Sequence, residues 1–198
     1  MPQWIHYIVI MPPIGDDEGD WQGQRTIPSR TKIFHMIYGK NNTPSTFDQI
    51  AGIYRTAESP EEKIAALRDM GSSDREQAIP FLIGALRDDN KEVRKAATEI
   101  LGSAGESAIA PLAALLRDEW WVVRYRACEA LGMIKNPLAY PHIRSAISDE
   151  KDHVRYMAAK GIGTLGIPAA ALDLEPLLED ENPYVRRMAA NAVVRIKG

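Results

Sequence analysis

The sequence is poor in cysteine and in long apolar runs, and each shortage closes off a class of protein. A single cysteine, Cys128, stands in 198 residues. It allows no intramolecular disulfide, which removes the disulfide-stapled scaffolds and points to a reducing compartment, the cytoplasm by default. The apolar start "MPQWIHYIVIMPPIG" breaks at Pro12–Pro13 and carries no basic segment. It is too short to span a bilayer and poorly built for a secretory signal. A net charge of −3 lacks the basic excess of a nucleic-acid reader. Glycine-rich phosphate loops, paired zinc-ligand spacings and serine elbows are missing. The histidines His6, His35, His142 and His153 are dispersed, and none precedes a glutamate. "DDEGD" at 16–20 lacks the alternating ligands of a calcium loop. No catalytic constellation, metal set or cofactor is expected, and the reading leans against an enzyme.

What is present is a globular composition, 45% apolar and 26% charged, arranged as an internal repeat. Four segments align: "LRDDNKEVRKAATEILG" from Leu86, "LRDEWWVVRYRACEALG" from Leu116, "ISDEKDHVRYMAAKGIG" from Ile147 and "LEDENPYVRRMAANAVV" from Leu178. Aspartates fall at Asp88, Asp118, Asp149 and Asp180, and valine–arginine pairs end at Arg94, Arg124, Arg155 and Arg186. Each unit reads as two helices. The first opens near a proline (Pro80, Pro111, Pro141), which a first turn tolerates. The second follows the aspartate turn and ends near Gly102, Gly132 or Gly163, the residue type expected past a helix end. In the fourth unit Pro176 lies deeper, so its first helix starts late or bends. A degenerate unit precedes these: "FDQIAGIYRTAES", then "SPEEKIAALRDMG", with Ser59, Pro60 and Glu62 placed as a capping box.

The combined pattern P-x-L-x-x-x-L-x-D-x-x-x-x-V-R-x-x-A-x-x-x-L-G resembles HEAT repeats of the short, phycobilisome-lyase-like type, over residues 73–198 and more weakly from residue 46. The resemblance implies an all-α right-handed solenoid of stacked, armadillo-like helix pairs, with second helices on the concave side. It also implies that Asp88, Asp118, Asp149 and Asp180 pair with Arg94, Arg124, Arg155 and Arg186 in a structural ladder. Residues 1–45 fall outside the repeat and read as an irregular extension, in which "WIHYIVI" and "KIFHMIY" are short strands or apolar arms, or as sequence upstream of a start at Met36.

Relative to the ladder arginine, positions −1, +3, +7 and +10 are apolar at helical spacing and form the core. Positions −2, +1 and +5 are left for the surface. They include Glu92, Lys95 and Glu99, then Glu129, His153 and Lys160, and the tyrosines Tyr125, Tyr156 and Tyr184 with Arg187. Arg126, Met157 and Met188 stand beside them at +2. Tyrosine, methionine and arginine are interface types, which favours a concave groove for a protein or peptide. Cys128 aligns with Thr98, Ala159 and Ala190 and reads as a small packing residue.

The function favoured is a non-enzymatic scaffold or adaptor. The alternative, which the resemblance alone suggests, is a subunit of a bilin-lyase-like or cofactor-protein maturation complex. DNA-lesion binding ranks third, opposed by Glu92, Glu99 and Glu129 on the candidate face. The end "RMAANAVVRIKG" lacks a polar capping repeat and leaves Ala190 and Val194 without a neighbour, from which either end-to-end self-association or cover by a partner is expected. The tryptophan pair divides. Trp121 takes the first helical position, whereas Trp120 replaces the caps Asn90 and Asn182 without a side-chain acceptor, at a cost of about 1 kcal/mol. Trp120 therefore joins Tyr125, Arg126, Tyr156, Tyr184 and Arg187 as a candidate contact.

Overall fold

The structure, a computed structural model, describes residues 46–198. The readings made for residues 1–45 lie outside the described residues. Ten α-helices and short 3-10 turns build the described part, with no strand among the described residues. They pair in chain order: α1 (Thr46–Thr56) with α2 (Pro60–Ser73), α3 (Arg75–Ala85) with α4 (Lys91–Gly102), and α5 (Ile109–Leu115) with α6 (Trp121–Ile134). Then follow α7 (Tyr140–Ser145) with α8 (Asp152–Leu165), and α9 (Glu175–Leu178) with α10 (Pro183–Lys197). This is the α-solenoid that the repeat predicts, with the degenerate unit as its first pair.

The second helices start where a local acceptor meets their free amides. Ser59 Oγ accepts from Glu62 N at 3.2 Å, while the Glu62 carboxylate accepts from Glu58 N, one residue before the cap. Asn90 and Asn182 cap α4 and α10 through their side-chain oxygens. Trp120 and Lys151 occupy the same position and supply no such bond. The aspartate two residues earlier steadies all four turns. Its Oδ1 accepts from the N–H of Asn90, Trp120, Lys151 or Asn182 at 2.8–2.9 Å. That bond holds the turn around Trp120 although the tryptophan itself caps nothing.

Two boundary expectations are corrected. Pro80 lies in the interior of α3, because Asp74 starts that helix earlier by accepting from Gln77 N at 3.0 Å. The other first helices do open near proline: Pro141 is the second residue of α7, and Pro176 that of α9, after a 3-10 segment at Pro168–Leu174. The repeat glycines are not end caps. Gly132 and Gly163 lie inside α6 and α8, and Gly102 is the last residue of α4. A Cβ on Gly132 would stand 3.0 Å from Gly161 Cα, one on Gly163 2.8 Å from Ala192 Cα, and one on Gly102 2.6 Å from Met133 Cβ. These glycines let consecutive second helices approach closely. The left-handed ends fall to Lys135 and Gly166 instead.

The core runs between the two helix layers. Val93, Val123, Val154 and Val185, with Ala97, Ala127, Ala158 and Ala189, are fully buried, as the spacing predicts. Leu82, Leu112, Ile143 and Leu174 meet them from the first layer. The second helices pack on one another through the glycine positions, whereas the first helices touch far less. The stack therefore curves toward the second-helix side, and α4, α6 and α8 line its concave face. Among the described residues no helix is long and apolar enough to cross a membrane.

Candidate functional site

The charged residues of the repeat are spent on its own architecture. Each ladder arginine turns Nη1 back onto two carbonyls of its own aspartate turn: Arg124 reaches Asp118 O at 2.9 Å, Arg155 Asp149 O at 2.9 Å and Arg186 Asp180 O at 2.6 Å. In Arg124 and Arg155 the remaining guanidinium nitrogens reach the aspartate of the next copy. Arg124 Nε and Nη2 lie 2.7 and 2.8 Å from Asp149, and Arg155 Nε and Nη2 lie 2.6 and 3.0 Å from Asp180. The pairing therefore crosses from one copy to the next instead of closing within a copy. The hydrogen bonds from Arg155 hold the Asp180 carboxyl below the usual carboxylate range. Lys63 plays the arginine's part for the first pair, 2.6 Å from Asp88.

One rung differs. Asp118 pairs with Arg87, from the turn after α3. Arg94 keeps its bonds to Asp88 O and Asp89 O, but its guanidinium lies over the Trp120 ring, 5.2 Å from the centroid, and its buried Nε has no partner among the described residues. Trp120 is thus engaged by a stacked cation. Trp121 sits between repeats, 5.1 Å from the His153 ring and 5.4 Å from Lys151 Nζ. Both tryptophans are half-buried.

The concave face holds a depression of about 520 Å³ across α4, α6 and α8, on the C-terminal halves of these helices. Gly102, Gly132 and Gly161 floor it, because helices that approach through glycine leave no side chains between them. Met133, Met157, Ser103, Thr164, Glu99, Glu129, Lys135 and Lys160 surround it. Cys128 lies at its base with no exposed surface, and burial pushes its thiol pKa up, away from nucleophilic use.

None of the six sequence-derived contact residues lines this depression. Tyr125 and Tyr156 stand one turn before Glu129 and Lys160, half-buried and packed against the core. Tyr125 carries Arg126 at 5.3 Å, and Arg126 Nη1 lies 2.8 Å from Glu129. Tyr184 and Arg187 stack on each other at 5.4 Å on the exposed face of α10, apart from the other four. Trp120 precedes Gly132 by twelve residues, roughly 18 Å of helix, so it belongs to the odd rung and not to the depression. Of the +2 residues, Met157 is buried at 3% exposure and forms part of the floor. On the outer face of α10, Ala190 and Val194 are exposed.

The residue sequence reasoning missed is Lys135. It is the one non-glycine with positive φ (54°) among the described residues, at the position where neighbouring copies carry Gly105 and Gly166, also at positive φ. A side chain in that conformation costs about 1–2 kcal/mol. The glycine–lysine–glycine alignment is present in the repeat, but it is masked by Gly102, Gly132 and Gly163, which stand nearer the expected helix ends.

Among the described residues no group of three or more His, Cys, Asp or Glu side chains is placed to hold a metal. A family model for HEAT repeats matches residues 48–125 and 109–195. No curated protein matches the chain. Among solved structures, the complex of CpcE and CpcF of phycocyanin lyase from Nostoc sp. PCC7120 aligns with TM-score 0.55 and 20% identity, covering 80% of this chain and 67% of that one. Human deoxyhypusine hydroxylase aligns with TM-score 0.51 and 19% identity, covering 79% of this chain and 64% of that one. At these identities the likeness is one of fold.

Proposed function

We propose, for a chain that belongs to the HEAT-repeat family, a non-enzymatic scaffold that holds a protein or peptide segment on its concave face. The observation that supports this reading is the depression across three consecutive second helices, open to solvent and mixed in polarity. The repeat explains the ladder as internal bonding, and the depression is what its architecture leaves unfilled. Tyr125 and Tyr156 stand one turn outside it, half-buried and packed against the core. A role beside a second chain in cofactor-protein maturation is the alternative. It draws on a fold shared with a phycocyanin lyase complex and assigns no residue of this chain a part in chemistry.

Truncating the tyrosines would confound binding with stability, because both pack on the core. Ser103 is exposed and lines the depression, so Ser103→Arg fills it from outside. A phage-displayed random peptide library selected on the full chain should yield binders that Ser103→Arg fails to retain. Its melting temperature should stay within about 2 °C of the parent, as for other surface changes. Binders recovered equally on both proteins would rule the depression out as the contact.

A further inference from the structure

We infer that the depression selects an acidic peptide segment, with Lys135 and Lys160 as its charged contacts; this rests on the reading of the depression as a peptide groove. Four charged side chains line it: Glu99, Glu129, Lys135 and Lys160. Both acids already have a cation beside them. Arg126 Nη1 lies 2.8 Å from Glu129, and Lys95 Nζ lies 3.9 Å from Glu99. Neither lysine has an ion-pair partner among the described residues, and both are exposed. The charge left unanswered in the groove is therefore positive, although the chain as a whole carries −3.

The backbone supplies a second, independent observation. Lys135 holds a left-handed conformation that the next copy gives to Gly166, and the preceding copy has Gly105, also at positive φ, in its place. A strained lysine where glycine would sit freely places a cation at the groove mouth against local preference. The negative end of the α6 dipole also attracts a cation there, but that field fades within one turn. It does not account for Lys160, which lies more than a turn before the end of α8. Met133, 41% exposed, gives the peptide's aliphatic parts a surface on the same lining.

The test is fluorescence anisotropy on the full chain with a fluorescein-labelled peptide of alternating glutamate and alanine, set against its lysine–alanine counterpart. The glutamate peptide should bind, with affinity falling as salt is added, and the lysine peptide should not. Lys135→Gly combined with Lys160→Gln should weaken binding about tenfold. Lys135→Gly alone should raise the melting temperature by about 2–4 °C, since glycine relieves the backbone. Unchanged affinity in the double variant, or preference for the lysine peptide, would overturn the inference. If the glutamate peptide ignores both lysines while library-selected peptides still lose binding to Ser103→Arg, the acidic selectivity fails and the groove reading stands. If Ser103→Arg changes nothing either, both fail.

Discussion

Arg94 and Arg124 hold the same place in consecutive copies, one residue after a valine and six after an aspartate, yet they end in different company. Arg124 is buried at 8% side-chain exposure and grips Asp149 of the next copy with two nitrogens. Arg94 has no carboxylate partner among the described residues, lies over Trp120 and leaves Asp118 to Arg87, which is 53% exposed. The spacing differs by one residue. The rungs Lys63–Asp88, Arg124–Asp149 and Arg155–Asp180 all span 25 positions, and Arg94 to Asp118 spans one fewer. The helix carrying the odd arginine is also shorter, 12 residues against 14 for α6 and α8. A repeat motif thus fixes what each residue does inside its own copy, and the length of the connection decides what it meets in the next.

The largest effect should come from cutting an intact rung. Arg124→Met takes two donors from Asp149, whose side chain is 9% exposed and among the described residues keeps only the Lys151 N–H, and should cost about 3 kcal/mol in urea denaturation. Arg87→Met at the odd rung, an exposed pair member, should cost below about 1 kcal/mol. Equal losses would erase the contrast between the two junctions.

A smaller effect asks whether the odd junction is loose in its backbone as well as in its charges. Gly102→Ala and Gly132→Ala each press a Cβ into the next helix, at 2.6 Å from Met133 Cβ and 3.0 Å from Gly161 Cα. Both should destabilise by about 1–3 kcal/mol despite the better helix propensity of alanine. A silent Gly102→Ala beside a costly Gly132→Ala would mean that the first of these contacts yields and that the weakness of that junction extends to its packing.

The smallest is a pH effect at the last junction. Hydrogen bonds from Arg155 hold the Asp180 carboxyl low, those from Tyr140 and Arg144 do the same for Asp173, and those from His153 and Asn182 for Asp152. A carboxyl held lower in the folded chain than in the unfolded one stabilises above its unfolded pKa of about 3.9 and loses that contribution as pH falls through the folded value. The urea midpoint should therefore drop on acidification below about pH 4. The drop should be shallower in Arg155→Met, which frees Asp180 from its strongest partner. Parallel pH curves for the two proteins would show that this rung carries no such linkage.

How much was legible follows the same division. The apolar period, the aspartate turns and the capping box of α2 could be read because each depends on residues within one or two turns. The ladder partners could be named but not matched, since an arginine at a repeat position can close onto its own aspartate or the next one. The glycines are ambiguous for the same reason. Near a helix end, a glycine that permits a left-handed turn and one that admits a neighbouring helix look identical in one dimension.

By itself the sequence determined the helix pairs, their order, the buried valine and alanine faces and the acidic turns, because these are set by local hydrogen bonding and by burial at helical period. Only the tertiary structure decided that the arginines bond forward, that Trp120 closes an odd rung, and that glycine contacts open a depression rimmed by Lys135 and Lys160. Those outcomes depend on how far one helix stands from the next, a distance fixed by the packing of side chains many residues apart.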